Sequence, residues 1–268
     1  MMPTTPIDSY DVLAQMVSDH LCRGVRTNTI VTEAAYAPAI TAGTLTAQNS
    51  PAGLLLWEDR RSHHYLHFWL NDLDADLNAA LPVPTVTEVA FRPRDTGLQE
   101  AVSYLTQQGF STLFYRKRLS RPSGPCPVPE HPLRTPGPEE APAVLAALQE
   151  NFSALTGCLP NAQELARDLA QQQVLTLEDA VGIVGLLHFS YDGKHGEIRH
   201  LAVRASARGT GCTKPLIAGY LNAIGGQKSI VWAREDYPAA QAAYTAFGFT
   251  PDGRRAAVLY NKKEGFLP

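Results

Sequence analysis

The sequence predicts an α/β protein, a mixed β-sheet flanked by helices, built twice in one chain. Three observations lead there. The 268 residues exceed one typical domain and suit two of about 100–150 residues each. Apolar residues in the second half switch repeatedly between helical and strand spacing. The segment AVSYLTQQGFSTLFYRKRL in mid-chain also parallels AAYTAFGFTPDGRRAAVLY near the end. Each has a tyrosine, then a Gly-Phe pair, then an alternating strand, as two copies of one fold would.

The second half gives its elements in order. Pro138 to Leu155 reads as a helix with Val144, Leu145, Leu148 and Phe152 on one side, and Asn161 caps a second helix running to Gln172. Val174 to Leu177 is a short strand. The apolar run Ala180 to Ser190 reads as a central strand, and Asp192-Gly193 turns the chain into a further strand, Glu197 to Val203. Thr213 to Ile224 is a helix closed by Gly225-Gly226. A strand at Ser229 to Ala233, a helix at Pro238 to Ala246 and a strand at Ala256 to Asn261 complete the order αα-βββ-α-β-α-β. In the first half, Gly53 to Glu58, Tyr65 to Leu70, Val86 to Phe91 and Thr112 to Arg116 read as strands, with a helix at Leu98 to Gln107. Prolines crowd the stretch from Arg121 to Pro142, which excludes helix interiors and central strands. The expected division is therefore a first domain over 1–121, an extended linker over 122–137 and a second domain over 138–268.

Bulk properties exclude several functions. A net charge of −3 with no long Lys/Arg run argues against a surface that tracks nucleic-acid phosphates. No apolar stretch approaches the roughly 20 residues of a membrane span, and Met1 to Asp11 has no secretory pattern. The cysteines at 22, 126, 158 and 212 are scattered without C-x-x-C spacing, so neither a disulfide framework nor a zinc site is expected. A cytoplasmic setting without metal follows as the expectation. His63, His64 and His67 do not share one strand face, so they read as a hairpin surface rather than a metal site.

The segment with chemistry in it is Arg208-Gly209-Thr210-Gly211-Cys212-Thr213, four residues after Leu201-Ala202-Val203. A strand ends, glycines allow close approach of backbone to ligand, and a helix begins. Successive N–H groups and the helix dipole there favour an anion, and Arg208 adds a fixed charge. A pyrophosphate suits such a place. The G-x-G-x-x-G and Walker patterns are absent.

With these residues in view, the chain resembles the GNAT acyltransferase superfamily. That family's phosphate loop reads R/Q-x-x-G-x-G/A after a strand ending like L-A-V; Arg208 and Gly211 match, while Thr213 stands where Gly or Ala is favoured. Pro215 is unusual there, and is tolerated only in the first turn of the helix. Ala240, Tyr244, Gly248 and Phe249 resemble the family's A-x-x-x-Y-x-x-x-G-F, with Tyr237 where an asparagine is usual. The resemblance covers about residues 138–261.

The resemblance implies a GNAT-like sheet and direct attack of an amine on the thioester of acetyl-CoA. It places Leu201 and Ala202 along the pantetheine, an N–H near Val203 on the thioester carbonyl, and the loop from Arg208 to Thr213 on the phosphates. Tyr244 is the candidate acid for the departing thiolate. Glu197 is the candidate base, since histone-type members carry a glutamate in a stretch similar to Glu197-Ile198-Arg199-His200-Leu201-Ala202-Val203. His200 is its rival, with a reference pKa near 6.5. Plain alternation sets Glu197 and His200 on opposite faces. Cys212 is a poor nucleophile candidate, and Glu235 and Asp236 read as exposed loop charge.

The first half lacks the phosphate loop, so it is expected to have lost coenzyme binding. Its most polar turn-like stretch is Arg23-Gly24-Val25-Arg26-Thr27-Asn28, whose arginines read as favouring a helix C-terminus. The leading function is an acetyl-CoA-dependent N-acetyltransferase for a primary amine of a small molecule or amino acid, acting as monomer or homodimer. The alternatives are an acyltransferase for a protein amine or a longer acyl chain, and a non-catalytic acyl-CoA sensor.

Overall fold

The computed structural model describes residues 3–60, 62–75, 81–129 and 131–261; the outermost limits expected for the two domains, 1–2 and 262–268, lie outside them. The chain divides into two compact units, but not at one point in sequence. The first runs to Tyr115 and resumes from Arg254, while the second holds Arg116–Gly253. Each unit thus contains a strand segment from the other end of the repeat. A cut at residues 121 and 138 follows the chain; the contacts follow this interlaced division instead.

The first unit comprises β1 (Thr4–Pro6), α1 (Tyr10–His20), β2 (Arg26–Thr27), α2 (Glu33–Thr41), β3 (Leu45–Ser50), β4 (Gly53–Asp59), β5 (His64–Leu70), β6 (Thr85–Phe91), α3 (Thr96–Gln107) and the start of β7 (Ser111–Arg121). Its strands are ordered β1-β3-β4-β5-β6, with β2 on β5, and the last strand of the chain closes β6 through Arg255 to Asn261. Leu55, Leu66, Phe68 and Val89 on one face pack under Ala101, Tyr104 and Leu105 of α3. Leu54, Leu56 and Trp69 on the other face pack with Leu13 of α1 and Tyr36 of α2. Strand alternation feeds both layers.

Here β5 and β6 are parallel but pair only at His64↔Thr85 and Tyr65↔Val86. Beyond that they part, and Asn28 fills the gap. Its amide nitrogen donates to Leu66 O (3.0 Å), Thr87 Oγ1 (3.0 Å) and Glu88 O (3.2 Å), and its oxygen accepts from Phe68 N (3.0 Å). Just before it, Arg26 and Thr27 pair with Leu70 and Trp69 along the freed edge of β5. Arg26 also forms an ion pair with Glu100 of α3. It belongs to a strand, not to the end of α1 that its charge suggested.

The second unit continues with α4 (Ala141–Asn151), α5 (Ala162–Ala170), β8 (Val174–Asp179), β9 (Gly182–Tyr191), β10 (His195–Val203), α6 (Thr213–Ala223), β11 (Lys228–Arg234), α7 (Pro238–Thr245) and β12 (Thr250–Asn261), of which the part from Arg254 belongs to the first unit. The strand order is β7-β11-β10-β9-β8. Helices α4 and α5 cover one face through Val144, Leu148, Leu165 and Leu169, against Leu186 and Ala202. α6 and α7 cover the other through Leu216, Ile217, Tyr220 and Tyr244, against Leu187, Phe189 and Ile198. Asn161 caps α5 as its sequence requires: its Oδ1 accepts from Gln163 N and Glu164 N, and Glu164 accepts from Asn161 N.

Helix α6 is buried through every residue from Pro215 to Leu221. A helix apolar all round must be covered on its outer side as well. The proline-rich stretch does this. Leu133 lies so close to Gly219 that a Cβ there would meet its Cδ1 at 2.2 Å, Cys126 bonds Leu221 O, Asn222 bonds Pro127 O, and Arg134 bridges to Thr176 of β8. Expected as an extended linker, the stretch is a packed strap of the second unit.

Candidate active site

The site begins where β10 leaves β11. The two are parallel and pair from His195↔Lys228 to Ile198↔Val231. β10 then bulges between Ile198 and His200 while staying with β9 as far as Val203. Arg204 N donates to Val184 O of β9, so the backbone of Ala202 also faces β9. Leu201 and Val203 therefore turn their N–H and C=O groups to the opposite edge, from which β11 has departed. Two strand amides thus face a gap rather than a ladder, the arrangement that polarises a carbonyl placed between the strands. The side chain of Leu201 packs with the α6–α7 cluster that includes Tyr244. Ala202 packs against α4 and α5 instead, so it does not join Leu201 on the open side.

The loop at the foot of this gap is exposed from Arg208 to Gly211. Gly209 and Gly211 have φ of +82° and +91°, which L side chains avoid. Among the described residues, the amides of Gly209, Gly211 and Cys212 donate to no protein acceptor. Thr210 Oγ1 donates to Ala207 O and contacts Cys212 Sγ, which stiffens the loop. Thr213 opens α6, and Pro215 falls in the first turn, where its missing N–H leaves no bond unmade. Arg208 reaches Val203 O at 3.2 Å and Asn151 Oδ1 at 3.0 Å. The loop's charge is thereby tied to the end of β10 and to the last residue of α4.

Tyr244 is buried against the edge of the Phe249 ring, with centroids 5.8 Å apart. No hydrogen bond among the described residues reaches its hydroxyl. Burial, with Tyr220 nearby, pushes the phenol up from its ordinary value, so it stays protonated at neutral pH and retains a proton to give. Glu197 is half-buried on β10.

The bulge overturns the expected relation of Glu197 to His200. Glu197 pairs with Ser190 and His200 with His188, and Ser190 and His188 lie two apart on a regular stretch of β9. One extra residue in β10 has inverted the parity, so both side chains face α4 and α5. His200 is nonetheless not open to a substrate proton. Its Nε2 lies 2.7 Å from Gly157 O and its Nδ1 lies 3.1 Å from His188 Nδ1, while His188 Nε2 is 3.1 Å from Asp168 Oδ2. Burial lowers the His200 pKa to about 4, aided by His188, Arg199 and Arg116 and opposed by Gly157 O. For Asp168, burial acts upward, but the hydrogen bond and charge of His188, with Arg167 and Arg199, hold the carboxyl below its usual range.

Asp168, His188, Asn151 and Arg116 were not singled out in the sequence. Two of them left a signal. Asp168 sits on the apolar stripe of α5 between Leu165 and Leu169, and His188 interrupts the apolar run of β9; a lone polar group in each place asks for a buried partner. Arg116 donates to Thr156 O at 2.5 Å, a contact 40 residues away that leaves no local pattern. His63 corrects the reading of its trio as surface, for it is buried, and burial with the Arg60 charge lowers its pKa to about 4. Asp236 is an exposed partner of Arg234. Among the described residues no group of three or more His, Cys, Asp or Glu is placed to hold a metal, and no helix is long and apolar enough to cross a membrane.

Comparison with known proteins finds the same second unit. Residues 144–258 match the acetyltransferase (GNAT) domain family. No curated protein matches by sequence. Among solved structures, a GCN5-related N-acetyltransferase from Sphaerobacter thermophilus aligns with a TM-score of 0.58 at 14% identity, over 92% of this chain and 99% of its own. A GNAT-family acetyltransferase from Colwellia psychrerythraea gives 0.57 at 13%, over 97% and 100%. A tandem GNAT protein from the clavulanic acid biosynthesis pathway gives 0.54 at 13%, over 97% and 98%. At such identities these three are similar in fold alone, and both halves of the chain take part. Residues 144–258 thus form an acetyltransferase (GNAT) domain, in a unit whose splayed strand pair stands above a glycine loop.

Proposed function

We propose that this protein, whose family indicates acyl transfer from acyl-CoA, moves an acetyl group from acetyl-CoA to a primary amine of a small molecule or amino acid. The observation that carries the reading is the parting of β10 and β11 after Ile198 and Val231, with the backbone of Leu201 and Val203 turned into the gap. The glycine loop at the start of α6 takes the pyrophosphate. The thioester carbonyl then lies against the N–H groups of β10, which also hold its oxygen as charge develops on attack.

Glu197 takes the proton that an ammonium must lose before attack. As the carbon–sulfur bond breaks, Tyr244 gives its phenolic proton to the thiolate and recovers one from water. His200 acts beside them as a positioning group, since both ring nitrogens are occupied within the protein.

Titration calorimetry with acetyl-CoA, followed by a thiol-release assay over a panel of amines, tests the reading. Micromolar binding with release for at least one small amine is expected. Binding without release for any amine would make the domain an acyl-CoA sensor, and absence of binding would remove the proposal. Release with a longer acyl-CoA or a protein amine alone would redirect it to those substrates.

A further inference from the structure

Asp168, His188, His200 and the carbonyl of Gly157 form a line from α5, through β9 and the bulge of β10, to the connection between α4 and α5. Its proton directions are fixed by chemistry. A carbonyl only accepts, so His200 Nε2 carries a hydrogen. His200 is neutral above its lowered pKa, so its Nδ1 is a lone pair and His188 Nδ1 must donate to it. His188 Nε2 lies 3.1 Å from the Asp168 carboxylate, so the line runs from an acceptor on α5 to the carbonyl acceptor of Gly157.

What it holds is the 152–161 connection. Phe152 packs edge-on against His200 at 4.9 Å, Gly157 O takes the His200 hydrogen, and Thr156 O takes one from Arg116. This connection lies on the face of β10 that carries Glu197, opposite the α6 side where the donor loop starts.

We propose that Asp168 and His188 are positioning residues for the acyl acceptor: they fix the tautomer of His200, which pins the 152–161 connection as the wall of the acceptor site beside Glu197. The inference rests on the acyl-transfer reading above for its acceptor, and on geometry alone for the pinning.

Two readouts test it together. His200→Phe keeps the ring against Phe152 and removes both nitrogens; His188→Leu removes the group that sets the tautomer. In each, amide exchange across 152–161 is expected to quicken roughly tenfold, and the KM for the amine to rise by a similar factor, as loss of one buried hydrogen bond implies. The Kd for acetyl-CoA stays within about twofold, because the loop amides start α6 on the other face and Asn151, which holds Arg208, belongs to α4 and not to the connection. His200→Gln, whose amide donates from near the Nε2 position, restores the protection and lowers the amine KM again. If His188→Leu does not fold, Asp168→Leu, apolar on the apolar stripe of α5, carries the same expectation. Unchanged exchange in folded His200→Phe would overturn the proposal. So would an acetyl-CoA Kd that weakens in step with the amine KM, which marks general loosening. Should the native protein acetylate no amine, the acyl-transfer reading fails, and the exchange measurement still decides whether the line pins the connection.

Discussion

Both units contain a parallel strand pair that starts joined and then parts, β5 with β6 and β10 with β11, and they treat the gap in opposite ways. In the second unit the N–H groups of β10 at Leu201 and Val203 are left open above a glycine loop, Arg208 reaching only Val203 O. In the first, Asn28 bonds both sides of the gap and β2 pairs along the freed edge. Between β5 and β6, moreover, the described residues contain no helix, and so no counterpart of α6 among them. The same splay stays open in one unit and is a self-filled joint in the other. A splayed pair is therefore no evidence of coenzyme binding by itself; what matters is whether the chain supplies its own side chain to the exposed amides.

The largest effect that separates the units is expected at Gly211. Nothing lies within 4 Å of the place a Cβ would take, so Gly211→Val is compatible with the fold. It places a branched side chain at a left-handed position, costing about 1–2 kcal/mol, on the surface a phosphate must approach. Acetyl-CoA affinity should fall about a hundredfold or more, and native stoichiometry should be one per chain by calorimetry. Two sites per chain would break the comparison outright. Next comes Asn28→Ala, which takes from Phe68 N the oxygen it donates to and removes one donor each from Leu66 O, Thr87 Oγ1 and Glu88 O. Denaturant unfolding should show a loss of about 2–3 kcal/mol with donor affinity unchanged. A gain of a second binding event in that variant would mean that the gap was only masked.

Acid weakens the first unit through His63 and His67 and the second through His200. Burial, then the Arg60 charge, lowers His63 to about 4 and His67 to about 3, and His200 is held at about 4. The unfolded chain binds these protons near pH 6.5, and the native chain refuses them until the lowered values. Stability is thus intact above about pH 6.5 and is lost as pH falls toward 4, by about 1.4 kcal/mol per pH unit for each histidine. Urea midpoints at pH 7, 6 and 5 check the slope. His63→Leu with His67→Leu should remove the first unit's share and His200→Phe the second's; a slope untouched by either would place the acid sensitivity elsewhere.

Much of the second unit was legible because its signals are local. The caps at Asn161 and Gly225, the glycines at 209 and 211 and the A-x-x-x-Y-x-x-x-G-F spacing each act within a few residues. What escaped was set at a distance. The bulge at Arg199 inverts the face of His200 without any glycine or proline to announce it, since its cause is pairing with β9. The strap role of Leu133 depends on Gly219, 86 residues later. The interlacing of β7 and β12 is invisible to a reading that cuts the chain in order, because both strands carry the same alternating pattern. Arg26 to Asn28 was noticed as polar and turn-like. That two strands would part to receive Asn28 is a tertiary fact.

The smallest effect is the sharpest test of the comparison, because it falls on the tyrosine that precedes the Gly-Phe pair in each repeat. Tyr104 on α3 lies five residues before its glycine and Tyr244 on α7 four before, one helical position apart, and both rings are buried. Tyr104 donates its hydroxyl hydrogen to Ala75 O at 2.7 Å. Tyr244 has no such bond among the described residues. Removing the oxygen should therefore act differently in each. Tyr104→Phe is expected to lower stability by about 1 kcal/mol, the net worth of a typical hydrogen bond, and to leave turnover alone. Tyr244→Phe should leave stability within a few tenths of a kcal/mol and acetyl-CoA affinity nearly intact, while kcat falls about tenfold or more. Paired thermal unfolding and thiol-release measurements read both. Native turnover in Tyr244→Phe would make that ring the core aromatic its burial also allows and move the acid to another group. An equal loss of turnover in both variants would show that the two units are not separable in function, whatever the contrast in their gaps.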